Sequence, residues 1–164
     1  MPKLSPAYPL DLLLRLFDDG FDHKAWHGPN LRGALRRVDA AGAAWRPGPD
    51  RKNIWEHAVH AAYWKYTIRR RLLGEDRGSF ALKGSNWFVR PIDPTEKAWK
   101  ADLKLLDDTH ATLHAAIENL SPDELTVIPP GCKLTNAESI YSIAMHDVYH
   151  AGQVQLIKRL MTED

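Results

Sequence analysis

The sequence predicts an all-α fold: a four-helix bundle with a short extra N-terminal helix and a long connection between its second and third long helices. Two observations predict it. Apolar residues recur three and four positions apart through the long segments, and no run alternates apolar with polar as a half-buried strand does. Capping residues and Gly/Pro breakers divide those segments. Amphipathic helices without a sheet to cover bury their faces against one another. The 164 residues suit a single domain over 1–164 with its packed core over about 30–162.

A first helical stretch, Pro9 to Asp18, is predicted to stop near Gly20, and Phe21 to Pro29 reads as irregular. The first bundle helix, about 30–42, starts after Asn30, carries Leu31, Ala34, Leu35 and Val38, and ends before Pro47-Gly48-Pro49. The second, about 53–73, opens with Asn53-Ile54-Trp55-Glu56, the capping-box form in which an N-cap side chain and a Glu three residues on satisfy each other's backbone donors. It ends at Gly74. The connection Glu75 to Asp93 is long enough to be functional, and Trp87 and Phe88 predict that it folds back onto the body. Asp93-Pro94-Thr95-Glu96 opens the third helix, about 94–120, with Trp99, Leu103, Leu106, His110, Leu113, Ile117 and Leu120 on its core stripe. Ser121-Pro122-Asp123-Glu124 starts a short helical turn. Thr135-Asn136-Ala137-Glu138 is a second capping box and opens the fourth helix, about 135–162.

Composition excludes several classes. The net charge of +1 gives no electrostatic case for nucleic acid or an anionic membrane. No apolar run is long enough to span a bilayer, and Leu12-Leu13-Leu14 is cut short by Arg15. The one cysteine, Cys132, cannot form an internal disulfide and reads as an inert loop thiol; a cytoplasmic location is expected.

All eight histidines occur in close pairs: His23 and His27, His57 and His60, His110 and His114, His146 and His150. The last pair sits on an apolar stripe with Ile143, Val154, Ile157 and Leu160, so both rings point inward on one face. Two neutral imidazoles one turn apart reach one metal ion, and His57 and His60 on a second capped helix are the natural source of another ligand. His146-Asp147-Val148-Tyr149-His150 has the spacing of the zinc-protease helix with Asp in the Glu position, which makes Asp147 a candidate general base. No Glu is followed three residues later by His, which argues against a di-iron carboxylate bundle. Gln153, Asp107 and His110 are candidates to hold the ligand rings from behind. Asn86, Trp87 and Arg90 are candidates for the pocket mouth.

Two segments resemble the DinB-like four-helix family: Asn53-Ile54-Trp55-Glu56-His57-Ala58-Val59-His60, followed by Ala61-Ala62-Tyr63-Trp64, and His146-Asp147-Val148-Tyr149-His150-Ala151-Gly152-Gln153. The resemblance implies an up-down-down-up bundle and a three-histidine divalent metal site. It selects His60, His146 and His150, with His57 the alternate for His60, because the family ligand precedes small residues and an aromatic. Zinc or nickel is implied, as is a thiol-dependent S-transferase or isomerase acting on a small molecule with a low-molecular-weight thiol. The alternatives are a metal-dependent small-molecule hydrolase and a non-catalytic metal-binding bundle. The six tryptophans permit an apolar interface, and a homodimer is expected.

Overall fold

The computed structural model describes residues 10–162. It holds six α-helices and one 3₁₀ turn, with no β-strand among the described residues: α1 (Leu10–Phe21), α2 (Leu31–Ala34), α3 (Ala40–Ala44), α4 (Ile54–Leu72), α5 (Glu96–Glu118), the 3₁₀ turn Asp123–Thr126, and α6 (Asn136–Leu160). The long helices form a ring. α4 packs between α5 and α6, and α1 packs between the same two on the other side; α2 lies on α6, and α3 on α4 and α5.

The capping boxes of α4 and α6 form as the sequence dictates. Asn53 accepts from the Glu56 amide and Thr135 from the Glu138 amide, each Glu returning a bond to the cap backbone. α4 ends at Leu73 with Gly74 at φ 66°, the left-handed terminator that needs no Cβ.

Three expectations are corrected. The first bundle helix is not 30–42. Asn30 caps as expected, but α2 lasts four residues, Arg37 turns left-handed at φ 61°, and Asp39 caps a separate helix by accepting from the Gly42 amide at 2.8 Å. Two cap residues nine positions apart compete with one continuous helix and win. The N-terminal helix is therefore no accessory. α1 is the fourth member of the ring and puts Leu13, Phe17 and Phe21 into the core, which thus begins well before residue 30. α1 ends at Phe21, one residue past Gly20 and so near where the sequence predicts. A Cβ on Gly20 would stand 2.8 Å from the Ala144 carbonyl oxygen, so the glycine lets α1 cross α6 closely. At α5, Thr95 rather than Asp93 is the N-cap: Thr95 accepts from the Ala98 amide and donates to the Asp93 carboxylate.

The core is cut in two. One apolar cluster gathers Phe21, Leu31, Trp55, Trp99, Leu106 and Val154; the other gathers Leu13, Phe17, Ile68, Leu113, Ile117, Ile140 and Ile143. Each ring helix carries a polar residue at the level between them: Asp18 on α1, Lys65 on α4, His110 on α5, Asp147 on α6. Lys65 and Asp147 are wholly buried and pair with each other. The Lys65 ammonium also lies 4.6 and 4.7 Å from the Phe17 and Phe21 ring centres.

Candidate metal centre

α4 and α6 are neighbours in the ring, so their histidine faces meet at the level of the polar belt. His60 Nε2 lies 3.1 Å from His146 Nε2, and His150 Nε2 lies 3.0 Å from that same atom. The three ligating nitrogens fall within 4.8 Å of one another. His57 is not a member of this trio. Its Nδ1 meets the Nδ1 of His150 at 2.9 Å, behind the ring, so it supports a neighbour's face instead of joining the convergence.

The proton inventory is tight. Burial, helped by neighbouring charge, pushes His57 down to about 4, His146 to about 3 and His150 to about 2; it lowers His60 as well, against the pull of the Asn86 carbonyl. The rings are therefore neutral near pH 7, each with one N–H and one lone pair. His60 Nδ1 donates to the Asn86 carbonyl at 2.7 Å, which leaves its Nε2 as a lone pair facing the other rings. His57 and His150 share one proton between their Nδ1 atoms; with that proton on His150, its Nε2 is also a free lone pair. His146 Nδ1 is buried without a hydrogen-bond partner among the described residues. A single proton on His146 Nε2 cannot bond well to both facing nitrogens. Buried lone pairs aimed at one another are costly, and a cation between them removes the cost. The donor set thus fits a divalent ion with nitrogen preference.

The long connection closes over the site as the sequence suggests, but it acts through residues with different roles. Trp87 stacks on His60, ring centres 3.9 Å apart and planes 8° apart, with the Lys52 ammonium 5.3 Å from the same indole. Asn86, in the left-handed region at φ 63°, presents its carbonyl to His60 while its side-chain oxygen accepts from Trp64 Nε1 at 3.0 Å. Arg90 leaves the pocket mouth: its guanidinium pairs with Asp102, which also accepts from Trp55 Nε1 at 2.6 Å. Its carbonyl accepts from the Asn53 side chain at 2.7 Å, so the end of the loop is tied to the start of α4.

Two openings reach the histidines. A cavity of about 540 Å³ between α4 and α6 is walled by Trp64, Ile68 and Ile143 and ends on His146; Cys132 lies on its rim. Another of about 660 Å³ is lined by His57, Trp87, Tyr149, His150 and Gln153, so Gln153 stands at an entrance to the site.

The other candidates are elsewhere. Asp107 pairs with Arg32 at 2.9 Å on the surface. His110 faces α1, stacked on Phe17 at 4.2 Å and on Phe21 at 3.7 Å, because α1 and not α6 covers that side of α5. Asp147 points away from the trio into the belt. Burial pushes its carboxyl up to about 6 against the pull of the Lys65 ammonium, while burial lowers Lys65. Its proton chemistry is tied up in that pair, which removes the protease-like reading of the His-Asp-x-x-His run. His23 is exposed and bonds Asp22; His27 is exposed.

Sequence reasoning missed Lys65 and the Asn86 carbonyl. A lone Lys inside Ala61-Ala62-Tyr63-Trp64-Lys65-Tyr66 was the available signal for the first. A backbone acceptor leaves none.

A family model described as the DinB superfamily matches residues 25–154. The chain belongs to the DinB superfamily. The match takes in all of α4 and α6 as far as Val154, so the three histidines of the site lie within the DinB region. Among solved structures, a crystal structure described as a conserved protein of its locus from Enterococcus faecalis is similar to this DinB chain: TM-score 0.59 and 18% identity over 94% of each chain. At that identity the likeness shows the fold alone. No curated protein matches the chain.

Proposed function

We propose that this protein is a metal-dependent enzyme in which His60, His146 and His150 hold one divalent ion, zinc or nickel, through their Nε2 atoms. The convergence of three neutral Nε2 atoms at 3.0 and 3.1 Å carries the reading. Three protein ligands match catalytic sites, which keep a coordination position for water or substrate. A divalent ion held there would supply Lewis acidity, lowering the pKa of a bound water or thiol.

The chain's own residues prepare the site for that chemistry. The Asn86 carbonyl fixes the proton of His60 on the far nitrogen, and His57 does the same for His150. Trp87 covers His60 and keeps water from that side. The apolar walls of Trp64, Ile68 and Ile143 suit a substrate with a hydrocarbon body.

With Asp147 committed to Lys65, no Asp or Glu converges with the three histidines among the described residues; Asp50 lines the wider cavity on the His150 side. That observation favours activation of a small thiol, as in an S-transferase or isomerase, over hydrolysis through a general base. The test is metal analysis of the purified protein, with anomalous scattering at the site, followed by a thiol-transfer assay run beside an esterase and peptidase screen. Stoichiometric zinc or nickel with thiol-dependent turnover supports the proposal. Hydrolysis without thiol, or no bound metal, overturns it.

The outer face of α6 supports a homodimer as a companion proposal. Tyr141, Met145, Tyr149 and Leu156 are exposed at helical spacing along it. Sedimentation of the Met145→Lys/Tyr149→Lys protein is expected to yield monomer; an unchanged mass rules out this face.

A further inference from the structure

The groove that ends on His146 carries unbalanced positive charge at its other end. Arg71 and Lys133 line it, and no Asp or Glu does. Arg71 also lines the adjoining cavity of about 840 Å³, together with Arg70, Arg77 and Lys83, and that cavity too has no acidic residue in its wall. The neighbouring arginines are engaged: Arg69 forks onto Glu75, and Arg70 donates to the Glu75 carbonyl at 2.8 Å. Arg71 has no side-chain hydrogen bond or ion pair among the described residues. A half-buried guanidinium on the wall of an apolar cavity, free while its neighbours pair, is a preformed anion partner.

Helix geometry places that partner on the line of the metal site. Arg71 is eleven residues beyond His60, about three turns, so both project from nearly the same face of α4, roughly 16 Å apart along the axis. Trp64 and Ile68 fill the interval, and Ile143 faces them from α6. The order along the groove is histidine, apolar wall, cation.

We propose that this groove binds an elongated ligand whose head reaches the histidine site, whose apolar body lies on Trp64, Ile68 and Ile143, and whose far end is a carboxylate or other anion held by Arg71 with Lys133 beside it. The proposal deepens the metal-enzyme reading and rests on it for the head group. The anion end stands on Arg71 and Lys133, independently of the metal.

Calorimetry with full-length zinc-loaded protein tests it, using mercaptoalkanoates of graded chain length and their methyl esters as probes. Affinity is expected to peak at one chain length. Arg71→Gln is expected to weaken the acid about tenfold, leave the ester unchanged, and leave the bound zinc at the wild-type stoichiometry. Arg71→Lys is expected to recover part of the loss, which separates charge recognition from a folding defect. The matching alkanoates without the thiol, titrated into metal-free protein, separate the two readings. If the metal reading fails, alkanoate binding that still depends on Arg71 upholds the anion site. Equal affinity for acid and ester, or equal binding by wild type and Arg71→Gln, overturns the proposal.

Discussion

Two pairs of histidines in this molecule share a spacing and part company in chemistry. His146 and His150 on α6, and His110 and His114 on α5, are each four residues apart on a long helix, and each pair puts a ring into the interior. Burial lowers both His110 and His150 to about 2. Yet the α6 pair converges with His60 on one point, while His110 lies flat against Phe17 and Phe21 and turns its Nε2, like that of His114, toward Asp18. The difference lies in what each helix meets. α6 faces α4, which brings a third imidazole; α5 meets α1 on its histidine side, which brings two phenyl rings and a carboxylate. A buried imidazole takes whichever partner the neighbouring helix supplies.

The sharpest way to break that comparison is to delete each pair. His146→Ala/His150→Ala is expected to lose all bound metal, while His110→Ala/His114→Ala keeps one equivalent, both measured by elemental analysis after gel filtration. Equal metal in the two proteins would erase the distinction.

The next largest effect concerns the polar belt that joins the two regions. Lys65→Met leaves the Asp147 carboxylate buried without its partner and is expected to cost about 3–5 kcal/mol in urea unfolding. Lys65→Met/Asp147→Leu is expected to recover most of it, since a matched apolar pair replaces a matched ionic one. A double variant as unstable as the single would mean that the pair has a role beyond mutual neutralisation.

A smaller effect isolates His110 by pH. Its folded-state value, about 2, lies below the ordinary 6.5, held down by burial and by the Lys65, His114 and His23 charges, with the Asp18 carboxylate facing it. The folded protein therefore resists a proton that the unfolded chain accepts. The resulting stability is fully present above pH 6.5 and drains away as pH falls from there toward 2. In the His146→Ala/His150→Ala background, His110→Leu is expected to flatten the loss of stability between pH 6.5 and 4. An unchanged slope would place the acid sensitivity elsewhere.

The smallest expected effect is at Asn86. Asn86→Ala removes the acceptor of Trp64 Nε1 and puts a residue less tolerant of φ 63° beneath the His60 proton. Metal affinity is expected to fall about tenfold in competition with a chelator, without loss of stoichiometry. No change would show that the loop merely covers the histidines.

Much of this was readable in advance, and the reasons are local. The capping boxes at Asn53 and Thr135 fixed where α4 and α6 begin, because side chain and backbone satisfy each other within four residues. The apolar period then set which way His146 and His150 point, and the family resemblance selected His60 over His57. The failures are also physical. Gly20 marks the end of α1 to within one residue, but that it also serves a close crossing shows only at the Ala144 carbonyl. Residues 30–42 looked like one helix because apolar spacing continues through a left-handed Arg37. Asp107 and His110 lay on or near the predicted core stripe of α5, but a stripe does not say which neighbour it meets.

By itself, then, the sequence determined the helices, their caps and the inward faces of the histidines, since these follow from hydrogen bonds and periodicities that span a few residues. The tertiary structure alone decided that α4 stands beside α6, that His57 supports the trio from behind, and that Lys65 claims Asp147. Those are contacts between residues 82 to 93 positions apart, set by how four helix surfaces pack.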